Sequence, residues 1–157
     1  MTRLMVQLWL MLALAIAPAA LLARQIPLDA AGAQTGLKRV PLSIRTHTGV
    51  VRFTVEVAGS FEEQEHGMMF RGAAPPNTGM IFPMLPPRIA NFWMKNTLIP
   101  LDLIFIRADG SIARIAAQAT PLSLAPIGSG EPVAAVLEIA GGRAAAAGIA
   151  PGDRVKW

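Results

Sequence analysis

The chain contains no cysteine. That absence removes disulfides, thiol nucleophiles and zinc–thiolate centres together, and with them a lipid anchor attached to a cysteine. A folded domain must then hold through its apolar core. Histidine is scarce: His47 and His66 stand far apart, and neither belongs to a two-histidine metal motif. Both read as ordinary surface residues. No glycine-rich loop ends in Gly-Lys-Ser or Gly-Lys-Thr, so the phosphate-cradling loop of nucleotide hydrolases is missing. Gly128-Ser129-Gly130 lacks the further residue on each side of the serine that a nucleophile elbow needs. There is no internal repeat and no run of basic residues. The formal net charge is +4, but the basic side chains are scattered along the chain. A nucleic-acid footprint needs clustering as well as sign, so no nucleic-acid partner is expected. Weak attraction to an anionic membrane surface is compatible with the charge.

What is present starts at the N terminus. Behind Arg3, residues 4–23 are almost wholly apolar, interrupted by Gln7 and Pro18, and Ala17-Pro18-Ala19 supplies a small-x-small site. These are the three parts of a secretory signal, with cleavage expected after Ala19 or a few residues later. The same run approaches spanning length, so a retained inner-membrane anchor is the alternative. The expected organisation is a signal peptide or N-terminal anchor over residues 1–23, a linker over 24–36, and a single β-rich domain over 37–157. Such a protein is exported and works in the periplasm, or from the inner membrane if the first segment is kept.

The rest of the chain reads as short strands. Residues 40–44 and 51–57 alternate, with Val51, Phe53, Val55 and Val57 on one face. Ser60-Phe61-Glu62-Glu63 is a capping box, and it predicts a helix over residues 61–70. A strand starts at Gly79 and is expected to break at Pro86-Pro87, with a further strand over 91–97. Residues 101–107 and 111–117 flank Asp109-Gly110, a two-residue hairpin signal. Residues 121–132 read as a loop, 133–140 as an apolar strand interrupted by Glu138, 143–147 as a short alanine helix with Gly148 past its end, and 155–157 as a last strand. Many short strands with two small helices imply an α+β fold, mainly antiparallel β, in a compact barrel-like sheet.

Polar side chains inside apolar stretches are the candidate site. On a strand over 91–97, Trp93, Lys95 and Thr97 share one face, which suits a cation–π contact or a ligand wall. Asp102 interrupts a run of large apolar residues, and Glu138 interrupts another. A buried carboxylate needs a cation or donors, and Lys95 and Arg71 are the cations nearest by context. Met68, Met69, Met80, Met84 and Met94 could offer thioethers to Cu(I) outside the cytoplasm, although methionine on a strand is usually core filler. No cofactor or metal is expected.

Phe53-Thr54-Val55-Glu56-Val57-Ala58, Glu65-His66-Gly67-Met68-Met69-Phe70-Arg71, Gly79-Met80-Ile81-Phe82, the whole of Phe92 through Asp102, Val136-Leu137-Glu138, Gly141-Gly142 and Gly152-Asp153 run in order along the mature chain. In these pieces the sequence resembles the Domain of Unknown Function 192 family, with Gly67-Met68-Met69 where Gly-Leu-Met is usual. The resemblance implies a compact, β-rich, barrel-like domain, often exported, with no established reaction. Its polar motif positions fall on Arg71, Lys95, Asn96, Thr97, Asp102 and Glu138.

The expectation is an exported, non-catalytic module that binds a small molecule or an envelope partner through Arg71, Trp93, Lys95, Asn96, Thr97, Asp102 and Glu138. Three alternatives stand beside it. Arg71, Lys95, Asp102 and Glu138 could form a buried ionic network that only fixes strand register. Asp102 and Glu138 could serve an envelope hydrolase as general acid and base. The methionines could handle copper. An open cleft faced by two carboxylates would favour the hydrolase, and a filled interior with every charge paired would favour the network.

Overall fold

The computed structural model describes residues 26–157, so the expected signal or anchor over 1–23 lies outside the described residues. The elements are β1 (Arg39–Thr46), β2 (Gly49–Val57), α1 (Phe61–His66), β3 (Thr78–Phe92), β4 (Leu101–Ile106), β5 (Ile112–Ala119), β6 (Ile127–Ala140), α2 (Arg143–Ala146) and β7 (Arg154–Lys156). They build one seven-stranded sheet in the order β5-β4-β6-β3-β2-β1-β7. Every neighbouring pair is antiparallel except β2 and β3. That pair is parallel because α1 and the following loop carry the chain back across, as a parallel connection requires. The Ile112 amide donates to the Asp153 carbonyl and the Val155 amide to the Gly110 carbonyl. The two outer strands therefore meet at one end, and the sheet curls into a half-barrel with two short helices. This is the expected β-rich α+β class.

Alternation explains why the sheet is covered on both sides. All six residues of β4 are buried, as in strands with a packed layer on each face. Ile104 and Ile106 join Phe53, Val55, Ile81, Leu137 and Ile139 on one face, closed by Ala144 and Ile149 around α2. Leu101, Leu103 and Phe105 join Met80, Phe82 and Val136 on the other, covered by Met68 and Met94. Met68, Met80, Met84 and Met94 thus fill core, which is the packing role of a flexible thioether.

Three expectations about strands are corrected. Pro86-Pro87 does not end a strand: β3 continues from Thr78 to Phe92. Its ladder with β6 shifts register between Pro83 and Arg88 and again between Ile89 and Asn91. The prolines fall inside the first shift, where a bulged strand has no partner awaiting an N–H. β6 correspondingly begins at Ile127, so the expected loop over 121–132 is shorter. The expected strand over 91–97 stops at Phe92, and residues 95–96 form a turn in which Asn96 takes a positive φ of 55°.

Helix α1 also ends earlier than predicted. Its capping box is complete: the Glu63 amide donates to Ser60 Oγ at 3.1 Å, and the Ser60 amide donates to Glu63 Oε2 at 2.9 Å. The helix stops because Gly67 has a φ of 50°, and a side chain there would also press on the Phe82 ring. Six residues are too few for a self-supporting helix, so tertiary bonds hold it. Gln64 Nε2 donates to the carbonyls of Ala58 and Pro83. Gln34 Nε2, from the segment before β1, donates to the carbonyls of Glu63 and Gly67 at 3.0 and 2.7 Å.

Strand pairing also gathers charges that are scattered in sequence. Arg45 lies across from Arg154, and Ser43 lies between Arg52 and Lys156. Arg45, Arg52, Arg154 and Lys156 are all exposed, giving β1, β2 and β7 a basic outer face.

Candidate functional site

Between α1 and the turn that follows β3 lies a cleft of about 760 Å³. Phe82 and Met84 of β3 form its base with Glu138 of β6. Phe61, Met68 and Met69 line the α1 side, and Ile89, Phe92, Trp93 and Lys95 line the other. It opens at a rim where Phe61, Ile89, Trp93 and Leu124 are exposed.

Local structure sets the rim. Met94 is fully buried and anchors the segment after β3, and its amide donates to the Ser123 carbonyl. That turns its neighbours Trp93 and Lys95 outward. Lys95 Nζ lies 5.1 Å from the Trp93 ring centroid, the cation–π contact expected from the sequence, though made on a turn instead of a strand. Asn96 and Thr97 close the turn. Thr97 Oγ1 donates to the Lys95 carbonyl at 3.3 Å, and the Phe70 amide donates to the Asn96 carbonyl at 2.9 Å. The last bond ties the two walls of the cleft together.

Glu138 is placed by strand register. It lies across from Met80 on one side and Leu103 on the other, so its side chain belongs to the face that carries the cleft. β3 can pass this close because residue 79 is glycine: a Cβ there would sit 2.3 Å from the Glu138 carbonyl oxygen. The residue is 4% exposed. Among the described residues its carboxyl makes no hydrogen bond and no ion pair. Burial pushes it up from an ordinary 4.5 to about 8, with the Arg71 charge acting in the opposite direction. At neutral pH the group is largely a neutral acid with an O–H to give.

The other expected residues lie elsewhere. Asp102 points to the opposite face, fully buried. Its Oδ1 accepts from the amides of Gln118 and Gly142 at 2.8 and 2.9 Å, and Oδ2 from the Ala144 amide at 2.8 Å. It fastens β5 and the start of α2 to β4. Arg71 sits in a separate cavity of about 300 Å³ beside Glu56. Its Nη1 is 2.5 Å from Glu56 Oε2, and its Nη2 donates to the Gln34 carbonyl at 3.1 Å. Lys95 is exposed. The expected network of Arg71, Lys95, Asp102 and Glu138 therefore does not form. Backbone amides satisfy Asp102, while Glu56 and the Gln34 carbonyl take the Arg71 Nη1 and Nη2 and leave its buried Nε without a partner among the described residues. The cleft gathers Trp93, Lys95, Asn96, Thr97 and Glu138 and leaves out Arg71 and Asp102. Sequence reading missed Glu56, whose place in the alternation of β2 looked solvent-facing until β3 paired beside it. It also missed the apolar walls, for which the exposed Phe61 of the helix's first turn was the only signal.

The chain matches the DUF192 family, described as "Uncharacterized ACR", over residues 43–157. No curated protein matches it. Similar solved structures include the following two. A Novosphingobium aromaticivorans protein of unknown function is 42% identical with a TM-score of 0.77, covering 86% of this chain and 94% of its own. A Sinorhizobium meliloti protein, described as a candidate transcription regulator, is 39% identical with a TM-score of 0.76, covering 78% of this chain and 96% of its own. With the family's motifs placed around one half-barrel and the match spanning all but the N-terminal part, this chain belongs to the DUF192 family.

Proposed function

We propose that the protein is an exported, non-catalytic module that binds a small molecule in the cleft between α1 and the Trp93–Lys95 turn. The observation that supports this most is the Glu138 carboxyl, nearly buried and without a hydrogen bond or ion pair among the described residues, on the floor of an open cleft. A scaffold gains nothing from such a group, since a largely desolvated carboxyl without a partner is costly, whereas a ligand can complete it. Apolar walls with few polar groups are the usual make-up of a small-molecule site. A two-carboxylate hydrolase finds no support, because Asp102 and Glu138 point to opposite faces. Export follows from residues 1–23, and N-terminal sequencing of the protein from its host's envelope should begin between residues 20 and 36; an intact Met1 in the cytoplasm would refute it. Binding is tested with Lys95→Ala. Lys95 is exposed, so the change should alter stability by no more than about 0.5 kcal/mol while weakening any ligand that an extract screen detects. Unchanged binding would count against the rim.

The basic face of β1, β2 and β7 supports a second reading, adhesion to an anionic polymer or surface, and it is the feature that bears on the Sinorhizobium neighbour's description. It ranks second because Arg154 is already 3.6 Å from Asp109. A mobility-shift titration on duplex DNA should show only weak, salt-sensitive binding.

A further inference from the structure

We infer that the cleft's ligand is a neutral, largely apolar molecule with one carbonyl-type oxygen, and that the Glu138 carboxyl donates its hydrogen bond to that oxygen. This rests on the cleft being a ligand site.

The argument starts from what surrounds Glu138. Across the two ladders its neighbours are Met80 and Leu103, whose side chains carry no oxygen or nitrogen, and the Met80 Sδ already accepts from Gln34 Nε2 at 3.5 Å. The chain beside it holds Phe82, Met68 and Met84, all buried. The charged groups nearby are committed or distant. Arg71, behind the floor, is paired to Glu56 of β2 and to the Gln34 carbonyl. Glu62, Glu65 and His66 of α1 stand on one rim, and Arg88 of β3 and Lys95 of the turn on the other. Asp102 of β4 faces away and has its own three amides. Arg71 is the one cation that favours a Glu138 anion, and it does so from behind the floor without a contact, so burial prevails and the neutral acid has a proton without an acceptor.

Three ligand chemistries could meet that proton. An amine would have to ionise Glu138 and would then lie in the field of Arg71. A carboxylate would bury an anion while Arg71 is already engaged by Glu56. A neutral carbonyl needs no new charge at all. It accepts the one free O–H, and the apolar remainder of the molecule packs on Phe82, Met84 and Phe92. Burying an ion without a partner costs far more than burying a hydrogen-bonded neutral pair, so the carbonyl is the chemistry that the site fits.

The test uses the purified protein and Nile red, an apolar neutral fluorophore, with 2-undecanone, undecylamine and undecanoate as competitors. Nile red should bind, and Trp93→Ala should weaken it. 2-Undecanone should displace it best of the three near pH 6 and lose at least about tenfold in affinity near pH 9.5, as the donor is lost. Glu138→Gln keeps an N–H donor and should keep the ketone while abolishing the pH dependence. Glu138→Leu should weaken the ketone about tenfold near pH 6. If Nile red binds at the Trp93 rim but the ketone ignores both pH and Glu138→Leu, or if undecylamine competes best, the inference falls and the cleft stands. If Nile red does not bind, or is indifferent to Trp93→Ala, the cleft reading falls and takes the inference with it.

Discussion

Asp102 and Glu138 stand on neighbouring strands yet point to opposite faces of one sheet, because Asp102 lies across from Ile139 and Glu138 lies across from Leu103. The two carboxyls therefore have unrelated environments. One is saturated by three backbone amides, and the other meets only apolar atoms and the cleft. Each should respond to substitution in its own way.

Asp102→Asn should destabilise the fold by about 2–4 kcal/mol in urea melts, since an amide can accept at one position only and would turn its NH₂ toward a donor. The near-isosteric change leaves packing alone, so a loss under about 0.5 kcal/mol would show that the three amides find other acceptors.

Glu138 should make stability fall as pH rises. Its folded-state value of about 8 lies above the ordinary 4.5 of the unfolded chain. Below pH 4.5 both states are protonated and the group contributes nothing against folding. Between the two values the unfolded chain alone releases the proton, so unfolding becomes easier with each step of pH. The accumulated loss is on the order of 3–5 kcal/mol. Glu138→Gln should flatten this limb of a stability–pH profile and be the more stable protein above pH 8. A profile that the substitution leaves unchanged would place Glu138 in contact with water or a cation.

Glu56→Ala should cost about 2–4 kcal/mol, because it strands Arg71 in a partly buried position. Arg71→Met in the same background should recover part of the loss, a coupling that a double-mutant cycle reads directly.

Ser60→Ala should cost about 1 kcal/mol and loosen α1, the wall of the cleft opposite Trp93. Amide exchange within residues 61–66 should rise more than in β3. Equal rises would mean the helix has no stability of its own to lose.

Local chemistry was the legible part of this fold. The capping box at Ser60 and Glu63 and the alternation of β2 depend on residues within a few positions of one another, and both are realised; the hairpin at Asp109-Gly110 also forms, but its loop takes in Ala108 as a third residue and only Gly110 has a positive φ. Features that depend on a distant partner were not legible. Pro86 and Pro87 look like breakers until β6 supplies a bulged register that asks nothing of their nitrogen. Glu56 looks solvated until Arg71 arrives from beyond α1. The site was half readable for the same reason. Trp93, Lys95 and Glu138 announced themselves as polar or aromatic exceptions, but only strand register could separate Glu138 from Asp102.

β3 serves the core and the cleft with one unbroken length of backbone. Ile81 packs in one layer, Phe82 and Met84 form the cleft base, and past the bulge Ile89 reaches the rim. One side of the cleft is thus built on β3 and β6, the two longest strands of the sheet. A ligand seated there would raise the free energy of opening the β3–β6 ladder and slow the exchange of its amides with solvent deuterium. Occupancy would be written into the backbone of β3 and β6 as well as into the side chains that the ligand touches.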